Sequence, residues 1–132
     1  MKKHLWLRRA AVLVYCAFLF YLSSRTEYPD VKNWYPGWMP DPSVIAHFCL
    51  YAGLAIVAWL DFRYEPANWL SRRAPYFAII FCSLYGASDE FHQSFVPNRD
   101  CTLADWATDT AGAAAAMAFI ALTLRIKKKK SV

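Results

Sequence analysis

The sequence predicts an all-α integral membrane protein, a four-helix bundle with both termini in the cytoplasm. Three observations predict it. Of 132 residues, 58% are hydrophobic and 17% aromatic, against an apolar share of roughly 45 to 50% in soluble domains. The apolar residues gather in four runs, and most basic residues fall outside alternate ends of those runs. The length fits one domain, so residues 1–132 are read as a single membrane domain.

Crossing about 30 Å of hydrocarbon at 1.5 Å per residue takes about 20 helical residues. The first run, 10–22, follows Lys2, Lys3, Arg8 and Arg9 and predicts a helix near 6–24. It reads as a signal anchor: no small-x-small cleavage site follows at 23–26, and three more apolar runs come after it. Pro36, Pro40 and Pro42 break the chain before a second helix near 43–61. Pro66 and Pro75 flank the approach to a third near 74–93. Pro97 lies in the connection to a fourth near 105–125.

Orientation comes from the loops. Lys2, Lys3, Arg8 and Arg9 precede the first helix, Arg63, Arg72 and Arg73 lie between the second and third, and Arg125 with Lys127 to Lys130 ends the chain. Only Arg25, Lys32 and Arg99 fall on the other side. Twelve of fifteen basic residues thus share one side, which the positive-inside rule makes cytoplasmic. This placement accounts for the net charge of +5 better than nucleic acid does, since base reading needs a soluble module that does not fit here. Cys16, Cys49, Cys82 and Cys101 show no C-x-x-C pair and no zinc spacing. The first three read as packing residues within apolar runs. Cys101 lies in an outer loop. Tyr28, Trp34, Tyr35 and Trp38 crowd the first outer loop, an aromatic belt at the headgroup level or a lid over the site below it.

The uncharged stretches 74–88 and 110–124 are too short to span, so each helix must take in polar neighbours. Those neighbours are carboxylates. Extending the third helix outward adds Asp89, Glu90, His92 and Gln93; extending the fourth adds Asp109, Thr108 and Asp105; the second places His47 one turn in on the same side. At about 100° per residue, Tyr85, Asp89, His92 and Gln93 share one stripe with Glu90 at its edge, and Asp105, Thr108, Asp109, Gly112 and Ala116 share another. The small residues 111–116 read as the packing face of the fourth helix. A charge at membrane depth costs about 2.5 to 3.5 kcal/mol on insertion scales, so such a cluster needs a compensating partner or a function.

The stretch 85–99, with its Glu90, Gln93, Phe95, Pro97 and Arg99, followed by Asp105, Asp109 and Gly112, resembles the VanZ-like family. Members show a Glu with a Gln three residues on, an aromatic-x-Pro-x-Arg loop, then an Asp, an Asp or Asn four later, and a Gly. His47 fits the His of the family's second helix. The resemblance covers roughly 43–116. Asn98 stands where many relatives have Gly, and Asn tolerates the positive φ of such a turn. Ala116 stands where relatives often have another Gly, which implies a looser packing face. The family is named for a membrane protein associated with resistance to the lipoglycopeptide teicoplanin, so the resemblance implies the cell envelope and antibiotic resistance as context, and names a site without naming a reaction.

The residues admit four readings. In the enzymatic one, an outward-facing pocket of the cytoplasmic membrane acts on an amphiphilic or lipid-linked envelope component by acid–base chemistry. Glu90 or Asp105 is then the general base or acid, His47 or His92 the proton shuttle, Arg99 the clamp on an anionic group, and Gln93, Asp109, Asp89 and Tyr85 bind substrate. A variant gives Asp105, Asp109 and Glu90 a divalent metal. A second reading is a non-catalytic binder or shield of lipid-linked wall precursors or lipid-tailed antibiotics, a third an ion-pair network that only holds helix ends together, and a fourth a proton-coupled carrier. Membrane lipids are partners in each.

Overall fold

The computed structural model describes residues 4–26, 36–99 and 101–130. Every regular element among them is helical: α1 (Leu5–Ser23), α2 (Pro42–Arg63), α3 (Asn68–Arg72), α4 (Ala74–Gln93) and α5 (Leu103–Lys130). α4 and α5 are the third and fourth helices expected from sequence. The short α3 was not expected, and α5 continues past residue 125 through the lysine run.

Local chemistry sets the ends. Asp41 caps α2, its Oδ1 accepting from the Ser43 amide and hydroxyl at 2.8 Å each, while Pro42 supplies a ready-made first-turn φ. The hydroxyl of Thr102, just before α5, accepts from the Asp105 amide at 3.0 Å and donates to Asp105 Oδ2 at 2.8 Å, so one threonine–aspartate pair closes the first turn. Lys127 to Lys130 occupy the last turn of α5, where the helix dipole favours cations.

The helices alternate in direction. At one end, Arg9 Nη2 of α1 meets Glu65 just beyond α2 at 3.1 Å, and Arg8 Nε lies 3.9 Å from Asp61. At the other end, Ser24 after α1 bonds His92 in the last turn of α4 at 3.0 Å, and His47 near the start of α2 bonds Asp109 near the start of α5. The polar residues singled out on the second, third and fourth helices therefore lie at one end, and Arg63, Arg72 and Arg73 at the other.

α2 is the hub, packed against α1, α4 and α5, with α4 against α5. The core threads between them as Leu19, Tyr51, Leu54, Ala55, Ala58, Ala78, Cys82, Ala113 and Met117, all buried. The outer surface is apolar too: Leu13, Val14 and Phe18 on α1, Ile80 and Leu84 on α4, and Phe119 and Leu122 on α5 are exposed. Such a surface needs an apolar surrounding. Among the described residues, α1, α2 and α5 are long and apolar enough to cross a membrane. α4 is of spanning length but carries Ser88, Asp89, Glu90, His92 and Gln93 in its final turns.

The packing face of α5 is narrower than the run 111–116. Asp109, Gly112, Ala113 and Met117 are buried, whereas Ala111, Ala114 and Ala115 are exposed, because six consecutive positions go round the whole helix and α5 packs only on the side of α2 and α4. At Gly112 the backbones of α5 and α2 touch: a Cβ there would collide with the Phe48 carbonyl. Gly112→Leu is expected to cost at least the ~1–3 kcal/mol of an overpacked core, seen as a lower melting temperature and folded yield in detergent. Ala111→Leu, on the exposed side, is expected to change neither.

Candidate functional site

Three helices deliver the polar cluster. The Gly112 contact brings the start of α5 onto α2 next to His47, and His47 Nδ1 lies 2.9 Å from Asp109 Oδ1. Asp109 has 0% exposure. On its far side is α4, where Gly86 leaves room: a Cβ at that position would stand 3.1 Å from Asp109 Oδ2 and 3.4 Å from the Tyr51 ring. Gly86 thus lets α4 approach the carboxylate, and places Glu90, one helical turn further, beside the same group.

The last turn of α4 faces inward through Asp89, Glu90 and Gln93, all buried. Asp89 Oδ2 accepts from the Tyr51 hydroxyl and from Gln93 Nε2, each at 3.3 Å. Glu90 Oε2 accepts from the Thr102 amide at 2.8 Å, so Thr102 links Glu90 through its backbone to Asp105 through its side chain. Each of the three buried carboxylates keeps one oxygen without a hydrogen-bond partner: Asp89 Oδ1, Glu90 Oε1 and Asp109 Oδ2. Buried polar atoms of a folded protein rarely stay unpaired.

Not all the residues expected at the site share this centre. His47, Asp89, Glu90, Gln93 and Asp109 do, and Asp105 adjoins through Thr102. His92 turns to α1, its Nε2 3.0 Å from Ser24 Oγ and its ring centroid 4.4 Å from that of Phe20. Tyr85 also faces α1, donating to the Cys16 carbonyl at 2.6 Å. Arg99 is half-buried in the loop, where its amide donates to the Val96 carbonyl and Asn98 before it has φ 60°. The positive φ expected of Asn98 is thus present. Trp38 is exposed, while Tyr28, Trp34 and Tyr35 of the expected belt or lid lie outside the described residues.

Sequence reading missed Tyr51 and Thr102. Tyr51 lies one turn after His47 on the same face of α2, a spacing that places it under the cluster. Thr102 carries the Thr-x-x-Asp pattern of a helix start. The metal set expected from Asp105, Asp109 and Glu90 is also rearranged. Asp105 is engaged with Thr102, and the donors that converge are His47, Glu90 and Asp109, one atom of each within 4.8 Å of the others.

An imidazole held by a buried carboxylate is oriented for proton exchange, and a second carboxylate with an open oxygen beside it can take part in it. That is the chemical capacity of the cluster. The sequence model of the VanZ/LLP1 family matches residues 9–125, a range that contains every residue of the cluster and most of α1. Neither a curated protein nor a solved structure matches the chain. With the match extending over nearly its whole length, the chain belongs to the VanZ/LLP1 family.

Proposed function

We propose that the chain is a four-span protein of the cytoplasmic membrane, both termini inside, whose outer-end cluster performs acid–base chemistry on an amphiphilic or lipid-linked component of the cell envelope. The orientation is supported by the gathering of Arg8, Arg9, Arg63, Arg72 and Arg73 at the end opposite the cluster, with the α5 lysines. α4 becomes the remaining span once its polar last turn is sheltered by α2 and α5 instead of facing lipid. The observation that carries the chemistry is the set of unpaired oxygens on buried Asp89, Glu90 and Asp109 around His47.

Within this reading His47, oriented by Asp109, carries the proton, and Glu90 is the acid or base that meets the substrate. Asp89 and Gln93 shape the wall. The location at the ends of membrane-length helices suits a substrate with a lipid tail and a polar head, such as a lipid-linked wall intermediate. Tail and head would then meet the apolar flanks and the cluster in register.

Topology is tested at Cys101, which is exposed between α4 and α5. A membrane-impermeant maleimide is expected to label it in intact cells and to spare buried Cys82. Labelling only after lysis overturns the orientation. Function is tested by expressing the chain at matched protein levels and scoring susceptibility to teicoplanin or another agent acting on the wall. Glu90→Gln and Asp109→Asn are expected to abolish whatever phenotype the wild type gives, while Trp38→Ala, on an exposed ring, keeps most of it. The converse, a tolerated Glu90→Gln with loss at Trp38→Ala, would make the protein a shape-reading binder and remove the enzymatic reading.

A further inference from the structure

We propose that His47, Glu90 and Asp109 form a binding site for one divalent transition-metal ion of the manganese and zinc class. The proposal depends on the functional reading above only in locating the chemistry at this cluster. His47, Glu90 and Asp109 would hold the ion, which would displace the proton between His47 and Asp109 and would supply an acidic bound water for the exchange otherwise given to Glu90.

Distances come first. Two donors each about 2.1 Å from one ion stand about 3.0 Å apart at a right angle and about 4.2 Å apart at opposite positions. His47 Nδ1 and Asp109 Oδ1 are 2.9 Å apart, and the three donors lie within 4.8 Å of one another. The set would have to close slightly for all three donors to reach one ion.

The unpaired oxygens are independent of that spacing. Glu90 is 4% exposed and Asp109 0%, yet Glu90 Oε1 and Asp109 Oδ2 have no hydrogen-bond partner. Asp109 Oδ2 points to α4 at Gly86, 3.1 Å from where a Cβ would stand, and Glu90 rises from the same flank one turn on. Once ionised, two buried carboxylates beside a neutral imidazole would carry negative charge in a poorly solvated place, which a divalent cation would balance. Donor chemistry selects its class. An imidazole with two carboxylates suits manganese or zinc, whereas magnesium and calcium favour oxygen alone. Nearby Asp105 is outside the set because its carboxylate serves Thr102.

Since the three donors come from α2, α4 and α5, an ion should clamp these helices together. The test uses the full chain purified in detergent, stripped with EDTA and returned to Mn2+, the better probe because exposed Cys49 and Cys101 would capture Zn2+ by themselves. The expected result is about one tightly held Mn2+ per chain and a rise in melting temperature of several degrees, reversed by EDTA and not reproduced by Mg2+. His47→Gln and Asp109→Asn should weaken Mn2+ binding more than about tenfold, while Asp61→Asn, at the opposite end, should leave it intact. Absence of Mn2+ binding or of any thermal shift in the wild type overturns the site, as does equal binding by the Asp109→Asn and Asp61→Asn chains. If a variant does not fold, the wild-type melt with Mn2+, Mg2+ and EDTA decides alone. Mn2+ binding beside a phenotype indifferent to Glu90→Gln would keep the site and remove the functional reading; a phenotype lost with Glu90→Gln in a chain that binds no Mn2+ would do the reverse.

Discussion

Asp109 is the constraint on which the rest of the structure depends. A carboxylate with no exposure, near the start of an apolar helix, is tolerable only if its neighbours are placed for it. Removing one partner of a buried charged pair typically costs about 3 to 5 kcal/mol. Its neighbours come from different helices: His47 on α2 supplies the hydrogen bond, and Gly86 on α4 supplies the space. Gly112, one turn below Asp109, removes the side chain that would hold α5 away from Phe48. The close approach and the polar contact are therefore one feature, and the position of His47 follows from the packing of Gly112.

From that contact the remaining groups are arranged in order. Tyr51, one turn below His47, reaches Asp89, which also takes Gln93. Glu90 is steadied by the Thr102 amide, the same residue that starts α5 and so fixes the height of Asp109. Each carboxylate is held through one oxygen and leaves the other unpaired, which separates positioning from reactivity within a single side chain. The opposite end is held by two ion pairs, Arg9 with Glu65, where the arginine is exposed, and the more sheltered Arg8 with Asp61.

Much of this was legible in the sequence. Apolar runs interrupted by proline gave the long helices, and the short uncharged parts of α4 and α5 pointed to Asp89, Glu90 and Asp109 as polar groups drawn to helix depth. Helical spacing alone did not say which flank of α4 meets which neighbour. His92 and Gln93 differ by about 100° of rotation, and that turn sends His92 to Ser24 and Phe20 while Gln93 stays with Asp89. Tyr51 was hidden because an aromatic ring in an apolar run reads as core, and its ring is core; only its hydroxyl belongs to the site. α3 was hidden because five residues carry too little periodicity, and the C-terminal turns of α5 because lysines mark a membrane boundary without marking the end of a helix.

The central claim is that the α2–α5 contact and the buried polar cluster are one energetic unit. A double-mutant cycle on His47→Ala and Asp109→Ala, read as thermal stability of the full chain in detergent, tests it most directly. The account predicts a coupling of about 0.5 to 3 kcal/mol, the double substitution harming far less than the two single losses added together. Losses that add to within about 0.5 kcal/mol would show that His47 and Asp109 do not depend on each other, and would contradict it.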